Sequence, residues 1–109
     1  KAEPVLIRSA LPGDPDDSQA RYIEAAVNGI IVTSIYLPNG NPQPGPKFDH
    51  KLAWLKRLQA HARKLLKADV PVILAGDYNV APTEIDIRKQ DRGAVHCGVC
   101  QQIYRHFCR

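Results

Sequence analysis

The stretch from Val70 to Pro82, reading Val-Pro-Val-Ile-Leu-Ala-Gly-Asp-Tyr-Asn-Val-Ala-Pro, constrains this chain more than any other. Val72 to Ala75 form an unbroken apolar run between Pro71 and Gly76, which predicts a short strand buried on both faces. The run stops at Asp77. An extended chain sends alternate side chains to the same side, so Asp77 and Asn79 are expected to project together at the strand's end while Tyr78 points away. A carboxylate can hold a divalent cation or take a proton from water, and an amide N–H can hydrogen-bond a phosphate oxygen, so the pair suits phosphoryl chemistry. Gly-Asp-x-Asn is also ordinary turn chemistry, and the four residues alone do not separate the two readings.

The segment ahead of this strand makes it part of a crossover. From Lys47 to Ala68 the apolar residues Phe48, Leu52, Leu55, Leu58, Ala62, Leu65 and Leu66 fall at spacings of three and four, the stripe of one buried helix face. Trp54 lies at the stripe's edge, one turn from Leu58, and reads as a packing residue. Lys51, Lys56, Arg57, Arg63, Lys64 and Lys67 fill the remainder and read as a solvated face. His50 and His61 are eleven residues apart on this helix, too far to act as a pair.

Further upstream, Ile30 to Tyr36 is strongly β-branched, and Gln19 to Val27 reads as its partner strand across Asn28-Gly29, a hairpin signal. Val5 to Ile7 is a further short strand, and Leu11 to Asp17 is a Pro-, Gly- and Asp-rich loop. On the second hairpin strand Ile31, Thr33 and Ile35 share one face and Val32, Ser34 and Tyr36 the other, with Tyr36 last before Pro38-Asn39-Gly40. Tyr36 is also what a plain β-forming aromatic at a core edge would look like. Strand, long helix, strand predicts an α/β sheet with Val72–Ala75 parallel to Ile30–Tyr36. The carboxyl ends of the two strands would then bring Tyr36, Asn39, Asp77 and Asn79 to one edge, where open α/β sheets bind ligands.

Leu74-Ala75-Gly76-Asp77-Tyr78-Asn79-Val80-Ala81-Pro82-Thr83-Glu84-Ile85-Asp86-Ile87, taken with the upstream Ile35-Tyr36-Leu37-Pro38-Asn39-Gly40, resembles the exodeoxyribonuclease III family of abasic-site endonucleases in the endonuclease/exonuclease/phosphatase superfamily. The resemblance runs from Glu3 to Ile87 in the family's order and spacing. It implies an α/β fold, part of a four-layered sandwich of the DNase I-like type, and a Mg2+-dependent nuclease (Mn2+ the substitute) acting on double-stranded DNA at abasic sites or 3′ ends. Carried over residue by residue, Asp77 orients or deprotonates water and Asn79 hydrogen-bonds phosphate. Tyr36 binds phosphate or assists the leaving oxygen, and Asn39 positions the DNA backbone. Asp77 and Asn79 are the metal-side residues; Arg21 and Lys47 are further phosphate contacts. Other phosphoesterases of the superfamily share the strand-end Asp-x-Asn, and Tyr36 to Gly40 argues for the DNA-repair branch. The family's early Asn and Glu and its late Asp and Asp-His pair have no counterpart in residues 1–109, so this chain as given is expected to be a very poor catalyst, or a fragment that at most binds nucleic acid.

Bulk charge gives residues 1–87 no pull on DNA. The net charge of +4 resides wholly in the tail: residues 1–87 carry 10 Lys/Arg against 10 Asp/Glu, and 88–109 carry 5 against 1. Binding must come from locally placed cations. Arg88 to Arg109 holds Cys97, Cys100 and Cys108 and reads as an unrelated or disordered tail, which puts a division near Ile87. A zinc site from His96 or Cys97 with Cys100, His106 and Cys108 is the alternative its spacing allows. Residues 1–87 contain no cysteine, which fits a reducing, cytoplasmic setting. The absence of an apolar run of about 18 residues or of a leader predicts no membrane association. A complete protein of this kind is expected to be a monomer with no protein partner.

Overall fold

The computed structural model describes residues 2–42 and 44–80. The Cys-bearing tail, its zinc alternative and the division at Ile87 lie outside them. Four strands, β1 (Val5–Arg8), β2 (Tyr22–Val27), β3 (Ile30–Tyr36) and β4 (Val72–Asp77), and one helix, α1 (Pro46–Leu66), follow in the order β1, β2, β3, α1, β4. The sheet order is β1-β2-β3-β4, antiparallel up to β3 and parallel between β3 and β4. This is the anticipated α/β crossover. Among the described residues β4 lies at the sheet edge.

Local chemistry explains the joints. Asn28 and Gly29 both take positive φ, 51° and 75°, as the tight turn between β2 and β3 requires. Pro46 opens α1, where a missing N–H costs nothing, and Asp49 in the first turn faces the positive helix end. The helix ends two residues earlier than its periodicity suggests. Lys67 and Ala68 still donate backwards to Lys64 and Leu65, and the left-handed Asp69 (φ 56°) then turns the chain towards β4.

The helix covers one face of the sheet. Tyr22, Ile35 and Leu37 meet Trp54, Leu55 and Leu58 in the core, with Leu11 closing it from the loop. Each such side chain contributes about 1.5–3 kcal/mol on burial. Trp54 packs into the core as its place on the helix suggests, 1% exposed. Arg57 is likewise no free surface cation: it donates to the carbonyls of Leu11 (2.6 Å) and Pro12 (3.2 Å) and to Asp17 (3.0 Å), pinning the 11–17 loop to the helix. Burial works to raise the Asp17 carboxyl, but the Gln19 backbone N–H and the Arg57 guanidinium outweigh it and hold it below the usual carboxylate range.

A buried polar cluster sits under the same face. Glu24, 1% exposed, accepts from the Tyr22 hydroxyl and from His61 Nε2–H, both at 2.6 Å, with Arg8 at 3.5 Å from its other oxygen. The expectation that β4 is buried on both faces is not met. Leu74 is half-buried while Ile73 is 49% exposed, because among the described residues α1 is the layer packed on this sheet and it covers one side. Ile23, Tyr36 and Ile73 leave the other side open and apolar. Among the described residues no helix is long and apolar enough to cross a membrane.

Candidate active site

The carboxyl ends of β3 and β4 fall side by side. Tyr36 and Asp77 are register partners, and the Leu37 N–H donates to the Asp77 carbonyl at 2.8 Å, so the ladder runs to the last residue of both strands. Register partners in a parallel pair share a face, and both side chains are exposed. The phenol and the carboxylate therefore stand at one end and on one side of the sheet.

Simple alternation does not carry Asn79 there. Gly76 adopts φ 142° and Asn79 φ 48°, so the strand ends at Asp77 and the chain turns. The turn is closed by the Asn79 backbone N–H, which donates to Asp77 Oδ1 at 2.8 Å, an Asx-type bond. The Asn79 side chain reaches back to β3's exit, where Nδ2 donates to the Leu37 carbonyl at 2.6 Å. One amide hydrogen is thus spent within the protein, leaving the amide oxygen and a second hydrogen. Below the turn, Lys51 Nζ donates to the Asn79 carbonyl at 2.6 Å. Lys51 is 4% exposed, which corrects its placement on a solvated face.

On the far side of Tyr36 lies an open cleft of about 440 Å³ lined by Arg21, Asn39, Lys47 and His50, with Tyr36 as its shared wall. The Arg21 guanidinium lies 5.1 Å from the Tyr36 ring centroid, donates to the Tyr36 carbonyl at 3.4 Å and is also held by Gln19. Asn39 Oδ1 accepts the Asn41 N–H at 3.1 Å, which fixes the loop after β3. Three basic side chains and no acidic one line this cleft, so a neutral body presents a local site for an anion. Arg21, Tyr36, Asn39 and Lys47 are united in the cleft, while Asp77 and Asn79 adjoin it through the strand pairing.

His50 and Lys51 were not singled out by the residue patterns. His50 offered no motif. Lys51 did carry a signal, since it falls three residues after Phe48 and four before Leu55, on the buried stripe. As cation ligands, the described residues offer the Asp77 carboxylate and the Asn79 amide oxygen. Among them no group of three or more His, Cys, Asp or Glu is placed to hold a metal. Both donors are the oxygen type that hard divalent ions take, and they fill part of such an ion's shell.

The chain matches the Endonuclease/Exonuclease/phosphatase family over residues 3–107. It is 33% identical over 92 residues to exodeoxyribonuclease III of Haemophilus influenzae, covering 80% of this chain and 34% of that protein. Among solved structures, the 3′ phosphatase NExo from Neisseria bound to product DNA hairpin superposes with a TM-score of 0.86 at 30% identity, over 98% of this chain and 43% of that one. An AP endonuclease from Archaeoglobus fulgidus gives 0.81 at 29% identity, over 98% and 42%. The chain therefore spans less than half the length of the relatives it matches.

Proposed function

Because the chain belongs to the endonuclease/exonuclease/phosphatase family, we propose that it carries one side of the active site of a metal-dependent DNA-repair nuclease of exodeoxyribonuclease III type, cutting phosphodiesters at abasic sites and 3′ ends. The observation that supports this most is the pairing of Tyr36 with Asp77 beside a cleft of cations.

In this reading the cleft takes the DNA backbone, with Arg21 and Lys47 on phosphate oxygens and Asn39 setting the strand's path. Asp77 orients a water and accepts its proton as the oxygen attacks phosphorus. The P–O3′ bond breaks on the opposite side, and the Tyr36 phenol supplies a proton or hydrogen bond to the departing oxygen. Asn79 contributes its remaining amide hydrogen to a non-bridging oxygen, on which negative charge grows. Asp77 and the Asn79 amide oxygen are the described residues that would hold Mg2+, or Mn2+ in its place. When bound, that ion neutralises charge on the phosphate and polarises it. The two described donors would by themselves hold such an ion weakly, and residues 1–109 alone are proposed to be a poor catalyst.

The test is nicking of a duplex with a single abasic site, with and without Mg2+, beside Asp77→Ala. Metal-dependent cutting that falls by about 10²- to 10⁴-fold in Asp77→Ala supports the reading. Activity that survives the substitution, or that requires no metal, rejects it. Cleavage of nucleotides or lipids in preference to DNA moves the chain to another branch of the superfamily.

A further inference from the structure

Lys51 is a buried cation with no carboxylate partner among the described residues, and such a group is costly to keep. Its charged head meets a backbone oxygen, that of Asn79, at 2.6 Å. Its stem lies against Gly40: a Cβ added at Gly40 would come within 2.8 Å of Lys51 Cδ and 3.1 Å of Phe48 Cδ2. Gly40 therefore leaves the space through which the stem passes. The Asn79 that receives it is in the left-handed region and also donates to Leu37. Helix α1, the Leu37–Gly40 segment and the Asp77–Asn79 turn are joined at one point.

We infer that Lys51 is a positioning residue, a clamp that fixes the Asp77–Asn79 turn from beneath in the orientation needed towards Tyr36, with Gly40 as the notch that admits it. The inference deepens the nuclease reading and rests on it for its effect on rate. Lys51 touches no reacting atom. Its hydrogen bond takes up the Asn79 carbonyl, which would otherwise be free to draw the turn towards solvent, and positioning of this kind governs the chemical step more than substrate affinity.

The experiment compares Lys51→Met, which keeps the stem and removes the donor, with Gly40→Ala and the double variant in the same protein. The first readout is the nuclear magnetic resonance spectrum of the Asp77 and Asn79 amides. The second is cleavage of the abasic duplex. The clamp predicts shifted Asn79 resonances with faster hydrogen exchange in Lys51→Met. It also predicts kcat about 10- to 100-fold lower with KM within about twofold. Gly40→Ala moves both in the same direction, and the double variant is no worse than Lys51→Met. Unmoved Asp77 and Asn79 signals in Lys51→Met overturn the clamp, as do losses that multiply in the double variant. If Lys51→Met does not fold, Gly40→Ala alone carries the comparison, and unmoved signals there overturn it equally. Absence of Asp77-dependent cleavage in the unsubstituted protein defeats the nuclease reading, while the resonances still decide the clamp.

Discussion

Asn79 donates from Nδ2 to the Leu37 carbonyl at 2.6 Å, so the turn after β4 is tied to the segment after β3 by a side chain as well as by the Leu37 N–H bond to the Asp77 carbonyl. Asp at this position would set an acceptor against that carbonyl. Asn79→Asp is expected to cost about 1–3 kcal/mol. Asn79→Gly, which tolerates the positive φ and loses only the bond, is expected to cost less. Denaturant unfolding midpoints of the two variants check the order, and equal losses would mean that an acceptor facing the Leu37 carbonyl costs nothing beyond the lost bond.

Gly76 is a second fixed point. Its φ of 142° is open to glycine alone, and a Cβ there would collide with the Ile35 carbonyl oxygen and approach Ile35 N to 2.6 Å. Gly29 has a positive φ as well, 75°, but nothing within 4 Å of an added Cβ. Gly29→Ala should therefore show the backbone strain alone, about 1–3 kcal/mol, and Gly76→Ala the strain plus a broken β3–β4 contact. Thermal unfolding of both decides it. A Gly76→Ala midpoint no lower than that of Gly29→Ala contradicts the account.

The two glycines also mark where sequence reasoning holds and where it stops. Asn28-Gly29 between β-branched runs specified the hairpin, and apolar spacing specified α1, because both are local rules. Alternation failed beyond Asp77 because Gly76 leaves the ordinary extended region and the chain turns. Lys51 and His61 lie on the apolar stripe, yet their partners, Asn79 and Glu24, are 28 and 37 residues away in sequence. For Lys51, residue type argued for a solvated face. Only the fold brings such partners together. Tyr36 and Asp77, by contrast, were legible as neighbours once the crossover was recognised, since parallel strands joined through a helix end on the same edge.

The Glu24 cluster makes stability depend on pH. Burial works to raise the Glu24 carboxyl, but hydrogen bonds from Tyr22 and His61 and the nearby charges outweigh it, so its folded pKa lies below the ordinary glutamate value. The stabilisation is fully present above the unfolded pKa and is lost as pH falls through the folded one. Asp17 contributes with the same sign. Unfolding free energy measured from pH 6 downwards is expected to drop in the acid range. Glu24→Gln should flatten that drop in part, leaving the Asp17 share, and an unchanged slope in Glu24→Gln would remove the cluster from the explanation.

In the proposed nuclease the Tyr36 phenol and the Asp77 carboxylate work on one phosphodiester. The most direct test is a double-mutant cycle of Tyr36→Phe and Asp77→Asn, read as single-turnover cleavage of an abasic-site duplex with Mg2+. Each single change is expected to slow cleavage by about 10²- to 10⁴-fold, with the double variant little slower than the worse single one. A Tyr36→Phe protein that cuts at the unsubstituted rate, or losses that simply multiply, would contradict the account.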